Sequence, residues 1–484
     1  MEQKAGVQIG KKSFIQSLVI IFCLMMAAGV LTWVVPSGKY DRIQQDGREI
    51  IDSSSFQFVE KPDYPIWRWF TAPIEVFSIG PDRMTVIVLV LFILLVGSSF
   101  AVMDKSGILR SVLGRLVKRF SKRKYILLLI VCLFFMLMGA FFGILEEIVP
   151  LVPLLLGLSF ALGWDSLVGL GMSILAANMG FSAAITNPFT VGIAQKIAGL
   201  PTNSGAWLRV IIFIVIYTVF GIFLVRYARK IEKDPQKSPV FKDETRIREK
   251  YRKSDLLTLG DDNPRMKAAT ICLVVFLVLI LVMFFAGSFA PAITDFILPI
   301  VGLLFVIGGL SSGVISGMGG KNVGKAMRDG LTGILPSVPL ILMAASVKYI
   351  AASGGIMDTV LNSTAQLFQG ISPMAGALVV FGIALVIEIF VPSGSAKAFL
   401  IMPILLPVGD MLGLTRQVAV TAYCFGDGFT NMAYPTNALL LIALGLTVVS
   451  YPKWIRWTVK LWLIVAIVAV VFLLIGVAIH YGPF

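Results

Sequence analysis

Long apolar runs constrain this sequence more than any other feature. A helix needs about 20 apolar residues to cross the hydrocarbon core of a bilayer. Runs of about that length recur along the chain, at 14–35, 85–103, 125–145, 205–225, 268–288, 331–351, 374–391 and 454–478. With 57% hydrophobic and only 14% charged residues, the chain carries more apolar side chains than a soluble domain can bury. We therefore expect a polytopic membrane protein in contact with a lipid bilayer.

The charged residues lie between the apolar runs and indicate the topology. The connection 104–124 carries eight Lys or Arg and one Asp, and 226–267 is also basic, whereas 36–83 has eight acidic and six basic residues. The positive-inside rule places the first two in the cytoplasm and the third outside. The net charge of +14 is thus a topology signal, and no nucleic-acid partner is predicted. We expect a multi-pass protein of a bacterial-type cytoplasmic membrane, with a cytoplasmic N-terminus and the run 14–35 as a span, not a removed signal.

Cysteine and histidine usage excludes several kinds of site. The cysteines Cys23, Cys132, Cys272 and Cys424 stand singly in apolar runs and are expected to be small buried hydrophobes. His480 is the only histidine, so no metal site and no cofactor are predicted. The serines of the stretch PSGSAK have no histidine to activate them and lack the Ser-x-x-Lys spacing. The sequence therefore does not predict an enzyme.

An internal repeat divides the chain into two halves. SGILRSVL at 106–113 resembles GGIMDTVL at 354–361, and the Gly-Phe pair before Ser182 recurs before Thr430, both at an offset of 248 residues. The first copy lies in a basic connection, but its partner stretch 353–372 contains no Lys or Arg, which puts the two on opposite sides of the membrane. The sequence predicts two inverted repeats, with these boundaries: first repeat 1–226, cytoplasmic linker 227–267, connecting transmembrane helix 268–288, second repeat 289–484.

Each half interrupts its apolar pattern twice. The segments 125–163 and 374–413 have apolar arms around a polar tip, GILEEIVP or VPSGSAKA, which predicts re-entrant helical hairpins. The segments 166–199 and 417–449 exceed one span and contain Asn, Thr and Pro, which predicts broken transmembrane helices. Non-helical backbone at membrane depth requires a covering of protein or a water-lined cavity. Such an architecture is typical of secondary transporters, whose binding site lies near the midplane between the repeats.

Four stretches in order, GILEEIVPLVP, ANMGFSAAITNPFTVGIAQKIAG, VPSGSAKAFLIMPILLPVGD and FGDGFTNMAYPTNALLLIALG, resemble the C4-dicarboxylate anaerobic carrier-like family. The likeness runs from about residue 14 to 478 and is strongest to a branch of basic amino acid (arginine/ornithine-type) exchangers. The wider group, the ion transporter superfamily, implies an all-α elevator-type transporter with two re-entrant hairpins, and usually a homodimer. Sodium-coupled dicarboxylate relatives carry Ser-Asn-Thr at both tips, where this chain has Leu-Glu-Glu and Ser-Gly-Ser.

The resemblance also implies which residues bind the substrate. They come from the two hairpin tips and the two helix breaks: Glu146, Glu147, Asn178, Thr186, Asn187, Ser393, Gly394, Ser395, Asp427, Asn431, Thr436 and Asn437. The Asn and Thr residues near each Pro have a second interpretation, because they are also suited to satisfy the backbone that a break leaves free. Asp165, at the start of the first broken helix, is expected to cap it.

Charge at membrane depth indicates the kind of substrate. A charged side chain there costs roughly 2.5–3.5 kcal/mol on insertion scales and usually marks a functional site. Near the hairpin tips and the helix breaks, four acids stand against one lysine, namely Glu146, Glu147, Glu388, Asp427 and Lys397. Glu388 and Lys397 either pair with each other or contact the substrate. This balance favours a cationic or zwitterionic substrate over a dianion.

We therefore interpret the chain as a secondary active transporter of small organic ions, with exchange of arginine- or ornithine-type amino acids by an elevator mechanism as the first hypothesis. The alternative is a sodium- or proton-coupled carrier of C4-dicarboxylates or other small carboxylates, so coupling to Na⁺ or H⁺ stays open. A channel would share the polar midplane residues, but its flux would be ohmic and independent of counter-substrate.

Overall fold

The computed structural model describes residues 11–482 except for these segments: 46–47, 53–54, 82, 110, 113–114, 116–122, 202, 246–262, 290–296 and 366–370. Residues 1–10, for which a cytoplasmic location is predicted, lie outside the described part. The basic connection 104–124, the linker 227–267 and the stretch 353–372 are described only in part. The described chain is predominantly helical, as the all-α prediction requires.

The first half begins with three helices, α1 (Lys11–Val34), α2 (Trp67–Ser78) and α3 (Arg83–Lys105). The first hairpin segment consists of α4 (Lys124–Leu137), a π-helical turn (Met138–Phe142), a 3-10 turn (Glu146–Leu151) and α5 (Val152–Ala161). The first broken segment consists of α6 (Ser166–Leu170), a π turn (Gly171–Leu175), α7 (Ala176–Ala183), a π turn (Pro188–Gly192) and α8 (Ile193–Ile197). The half ends with α9 (Ala206–Lys233), which is followed by a 3-10 turn (Pro235–Lys237).

The second half follows α10 (Pro264–Phe289). Its first helices are α11 (Ile297–Ile315), α12 (Gly320–Ile334), α13 (Ser337–Ser353) and α14 (Met357–Ala365). The second hairpin segment consists of α15 (Pro373–Glu388) and α16 (Gly394–Met411), and the second broken segment of α17 (Arg416–Thr430) and α18 (Ala438–Gly445). The half ends with α19 (Tyr451–Ala478).

The interruptions lie where the apolar pattern predicts them. The hairpin segments lose their helix at 143–145 and 389–393, and the broken segments at 184–187 and 431–437. Each interruption coincides with Gly, Pro or Asn, which disfavour a continued helix. The helix that connects the halves, predicted at 268–288, is α10. The re-entrant course of the hairpins stays a prediction, as do the repeat and domain boundaries.

Five helices of the described part are long and apolar enough to span a membrane, and a bent pair makes a sixth candidate. The bent pair shows that the prediction of a single apolar run at 331–351 was wrong, because this stretch does not form one straight helix. It is divided between α12 and α13, which are bent by 40°, because Pro336 lacks an amide donor and restricts the residue before it. The apolar helix α11 was not among the predicted runs.

Two short β-ribbons lie in the connection 36–83 and were not predicted. β1 (Gly38–Lys39) pairs antiparallel with β4 (Gln57–Phe58), and β2 (Arg42–Gln45) with β3 (Arg48–Ile51). Arg42 donates to both carboxylate oxygens of Asp358 at 3.0 and 3.1 Å, and the amide of Tyr40 donates to the same carboxylate at 3.0 Å. These bonds bring 36–83 and 353–372 to the same end of the molecule, as expected if both are external.

The first helices of the two halves pack reciprocally. α2 and α1 lie against α13 of the second half, while α12 and α11 lie against α3 of the first. At the other end of α3, Lys105 pairs with Asp329 of α12 at 2.5 Å. This exchange of partners is what an inverted duplication would produce, although the inverted orientation itself stays a prediction. The hairpins, broken helices, α9 and α19 form the remaining body and bury most of the core.

Candidate functional site

The broken helices cross each other just before their breaks. A Cβ on Gly428 of α17 would lie 2.5 Å from the Cα of Ser182 on α7, so only a glycine permits this approach. In the last turn before each break a hydroxyl bonds back to the helix: Ser182 donates to the Asn178 carbonyl at 2.7 Å and Thr430 to the Gly426 carbonyl at 2.8 Å. Both breaks therefore begin from closely packed helix ends.

An asparagine restarts the helix after each break. Asn187 Oδ1 accepts from the amide of Phe189 at 2.9 Å, and Asn437 Oδ1 accepts from the amide of Leu439 at 3.0 Å. These are N-cap bonds, which satisfy an amide that the helix start leaves without a partner. Both asparagines thus have the structural role that was the second interpretation of such residues.

The long helix that follows each break supplies donors to the carbonyls that the break frees. In the first half, Arg209 of α9 donates to the Ile185 carbonyl at 3.0 Å. In the second half, Trp454 Nε1 of α19 donates to the Met432 carbonyl at 2.8 Å, and Tyr451 Oη donates to Ala433 at 2.7 Å. Buried carbonyls without a partner are costly, so α9 and α19 stabilise the two breaks.

The first hairpin tip lies against the first break. The amide and hydroxyl of Thr186 donate to the carbonyls of Ala140 and Phe141, both at 3.1 Å. Gly143 at this tip has φ +68°, and a Cβ there would come within 2.3 Å of Asn187 Oδ1. The side chains of Glu146 and Glu147 lie outside the described part, so their predicted role in the site stays a prediction.

The second hairpin tip reaches residues of both halves. A Cβ on Gly394 would lie 2.8 Å from Thr190 Cγ2, in the π turn after the first break, and 3.0 Å from Asp427 Oδ2 on α17. Tyr423, one turn before Asp427, donates its hydroxyl to the Gly394 carbonyl. The predicted site residues of the tip and of the second broken helix are thereby in contact.

A buried ionic triad lies directly behind this tip. Lys397, in the first turn of α16, donates to Glu388 at the end of α15 and to Asp427 Oδ1 at 2.8 Å. All three side chains are 0% exposed. Lys397 therefore pairs with Glu388, which was one of the two predicted alternatives, and also with Asp427, which the sequence did not predict.

The triad is incompletely neutralised. Two carboxylates carry two formal negative charges against the one positive charge of Lys397. Within the described residues, Glu388 Oε1 and Asp427 Oδ2 have no hydrogen-bond partner although both are buried. Unsatisfied acceptors of this kind are expensive, more so when they are charged. The arrangement can accept one further cation or donor.

Other polar groups of the site are also unpartnered. Within the described part, both amide atoms of Asn178, the Asn187 Nδ2 and the Thr436 Oγ1 lack a partner and are buried. Asn431 is different, because its Oδ1 accepts from Asn437 Nδ2 at 2.8 Å. The site therefore offers unused amide and hydroxyl donors as well as unused carboxylate oxygens.

The predicted site residues differ in their exposure. Those of the helix breaks are buried, apart from the half-buried Thr186. At the second tip, Gly394 and Ser395 are half-buried and Ser393 is exposed. The second tip is thus only partly covered, whereas the triad beside it is fully buried.

Several residues of the site were not predicted. Arg209 is 1% exposed in α9, and its only sequence signal is a charge near the start of an apolar run. Tyr423 and Thr190 give no local signal, because their neighbours come from distant parts of the chain. Gln195 Nε2 donates to Gln417 Oε1 at 3.3 Å and so joins the two broken segments.

Two further predictions have clear outcomes. Asp165 caps α6, accepting from the Val168 amide at 2.9 Å, as predicted. The cysteine prediction holds for Cys132 and Cys424 but is wrong for the other two, since Cys23 is exposed and Cys272 half-buried. They lie on outer faces of helices that a bilayer would cover, so an apolar position need not be an internal one.

The described residues contain no cluster of His, Cys, Asp or Glu that could hold a metal.

The chain is similar in sequence to a family model and to two bacterial proteins over most of its length. A family model described as C4-dicarboxylate anaerobic carrier matches residues 14–478. The chain is 29% identical over 475 residues to "Putative basic amino acid antiporter YfcC" of Escherichia coli (strain K12), which covers 91% of this chain and 92% of that protein. It is 26% identical over 491 residues to an uncharacterised protein of Haemophilus influenzae, covering 93% and 94%.

Two transport proteins of known structure match this chain over nearly their whole length. The YdaH transporter of Alcanivorax borkumensis is 18% identical, with a TM-score of 0.41, and the match covers 97% of this chain and 99% of that one. MtrF of Neisseria gonorrhoeae, from a class of antimetabolite efflux pumps, is 16% identical, with a TM-score of 0.43 and 97% coverage of both chains.

Proposed function

The chain belongs to the C4-dicarboxylate anaerobic carrier family. Within this family, we propose that it exchanges basic amino acids of the arginine/ornithine type. As a member of that family it is a membrane transporter of small molecules and not an enzyme. The proposed location is the cytoplasmic membrane. The name of the E. coli relative refers to the same substrate class.

The observation that carries the proposal is the charge balance of the triad. Glu388 and Asp427 share the single ammonium of Lys397, and each keeps one buried oxygen without a partner. A guanidinium or ammonium group of a substrate would satisfy these oxygens through charge-assisted hydrogen bonds, which are stronger than neutral ones. A cationic side chain is therefore the ligand that this part of the site favours.

The unused donors of the breaks suit the other end of an amino acid. Asn187 Nδ2 and Thr436 Oγ1 are buried without a partner in the described part, and each lies beside the start of a helix that follows a break. Helix N-termini carry partial positive charge and bind carboxylates. We assign the substrate carboxylate to this region and the side-chain cation to Asp427 and Glu388.

The second candidate is a coupled C4-dicarboxylate carrier, favoured by the description of the family. A dianion would meet Asp427 and Glu388 with like charge. It would therefore require protons or sodium ions to bind first, and the tip sequences differ from the Ser-Asn-Thr of sodium-coupled relatives. The charge balance ranks this candidate below the amino acid exchanger.

An elevator mechanism and a homodimer complete the proposal. The reciprocally packed helices α1–α3 and α11–α13 would form the static scaffold, with the hairpins and broken helices as the moving body. In support of this division, the triad and the unpartnered polar groups of the breaks belong to the second group, to which α9 and α19 donate hydrogen bonds. The movement would carry the closed tips, together with the substrate, across the membrane.

Counterflow in proteoliposomes tests the proposed function. Vesicles loaded with unlabelled arginine should accumulate labelled arginine, and ornithine or lysine should compete. Succinate should not compete. Sodium-dependent succinate uptake with no response to any amino acid would establish the dicarboxylate carrier instead. Flux that is ohmic and needs no internal substrate would identify a channel.

A further inference from the structure

The ammonium of Lys397 lies where a bound cation would be expected. Glu388, one of its partners, is the last residue of α15, and helix C-termini carry partial negative charge. The other partner, Asp427, stands one turn before the second break. In secondary transporters, helix C-terminal ends and unwound segments coordinate the coupling ion. The structure thus presents a cation position at the junction of α15, α16 and α17.

This cation is covalently attached to the hairpin itself. Lys397 is on α16, four residues after the tip residue Ser393, whose carbonyl accepts from the Lys397 amide at 2.9 Å. The side chain is completely buried and reaches carboxylates on two other helices. The lysine side chain therefore stays with the hairpin in every step of a transport cycle and cannot dissociate into either compartment.

We propose that the Lys397 ammonium replaces a dissociable coupling cation, so that substrate transport by this chain needs no sodium ion. The inference rests on the proposed exchange function, because it describes how the same carboxylates are neutralised. Lys397 supplies one of the two positive charges that Glu388 and Asp427 require. The substrate supplies the second, since both carboxylates keep a free oxygen. Exchange of one monocationic substrate for another then leaves the charge of the site unchanged.

The proposal predicts a cation site when the ammonium is removed. Lys397→Ala deletes the atoms that correspond to propylammonium and leaves a cavity between two buried carboxylates. In Lys397→Met a chain of similar length fills that space without a charge. The matched control is Lys453→Ala, because Lys453 also pairs with a carboxylate, that of Asp243, but both of these side chains are partly exposed.

Thermal unfolding of the purified full chain measures the effect. In choline chloride, Lys397→Ala should unfold at a lower temperature than the wild type, because breaking a buried pair leaves uncompensated charge. Titration with sodium chloride or propylammonium chloride should raise its midpoint in a saturable way, as expected for a ligand of the folded state. The wild type and Lys453→Ala keep the Lys397 ammonium, so their midpoints should shift less than that of Lys397→Ala, and Lys397→Met, in which a side chain fills the space, should respond less to propylammonium. A Lys397→Ala protein that responds to neither cation would overturn the proposal.

A second measurement keeps the proposal testable if Lys397→Ala does not fold. Wild-type counterflow of arginine should have the same rate in sodium chloride and in sodium-free choline chloride. A rate that falls tenfold or more without sodium would overturn the proposal while leaving the exchange function intact. If arginine is not transported at all, the exchange function fails, whereas the cation response of Lys397→Ala still decides the role of Lys397.

Discussion

The two helix breaks pair their freed backbone amides and carbonyls in the same manner, but the described charged side chains beside them differ. After each break an asparagine, Asn187 or Asn437, caps the new helix, and the next long helix donates to a freed carbonyl. Among the described side chains, the acidic groups near a break belong to the second half, where Asp427 and Glu388 surround Lys397. The first break has Arg209, which donates to the backbone at Ile185.

This difference distinguishes two roles of the residues at the breaks, the pairing of freed backbone groups and the charge beside the site, which the sequence alone does not separate. The backbone contacts at both breaks fix where the site lies, and they recur because a break at membrane depth always frees donors and acceptors. On the proposed function, the buried triad at the second break would select the charge of the substrate.

The largest expected effect concerns the orientation of the halves, because labelling there is all or none. In a variant without the native cysteines, Ser372→Cys, beside the second hairpin, should react with an impermeant maleimide in intact cells. Arg123→Cys, beside the first hairpin, should react only after permeabilisation. Both positions are exposed in the structure. Reaction of the two from the same side would exclude inverted repeats and remove the basis for comparing the breaks.

Complete loss of transport is expected for Gly394→Trp. Even a Cβ at this position meets Thr190 and Asp427, so an indole ring would hold the second tip away from the broken helices. Counterflow measures transport, and size-exclusion chromatography checks that the protein remains folded. Gly382→Trp is the control on the same hairpin, since a Cβ there contacts nothing within 4 Å. Equal activity of the two variants would remove the second tip from the site.

The next effect tests the charge of the second break. Asp427→Asn should weaken arginine binding by on the order of 100-fold, the loss expected when a charge-assisted hydrogen bond is removed. Binding of uncharged amino acids should change much less. Asp410→Asn is the control, because that carboxylate pairs with Arg416 at a partly exposed position where ion pairs contribute little. Arginine affinity is measured by calorimetry, and an unchanged affinity in Asp427→Asn would contradict the account.

The smallest effect concerns the first break. Asn187→Ser should keep the helix cap, because serine caps about as well as asparagine, but it removes the unpartnered Nδ2. We expect an almost unchanged melting temperature and a roughly tenfold loss of arginine affinity, the size of one hydrogen bond. A melting temperature that falls while the affinity stays constant would show that Asn187 is only structural.

The positions of the hairpins and breaks could be predicted because Gly, Pro and Asn interrupt otherwise apolar helices. Asp165 could be assigned as a cap because it directly precedes the start of a predicted helix. The pairing of Lys397 with Asp427 could not be predicted, because it joins side chains of α16 and α17 that are 30 residues apart and come together only through tertiary packing. The strands at 38–58 were missed because they are short and receive their stability from Asp358, far away in sequence.

We infer that the second break selects a cationic substrate, and a matched pair of ligands tests this inference. Citrulline has nearly the shape of arginine but a neutral side chain, so the two differ in the charge that Asp427 and Glu388 would contact. Calorimetric titration of the wild-type protein in sodium-free buffer should show arginine binding on the order of 100-fold more tightly than citrulline. Equal affinity for the two, or binding of succinate alone, would contradict the claim.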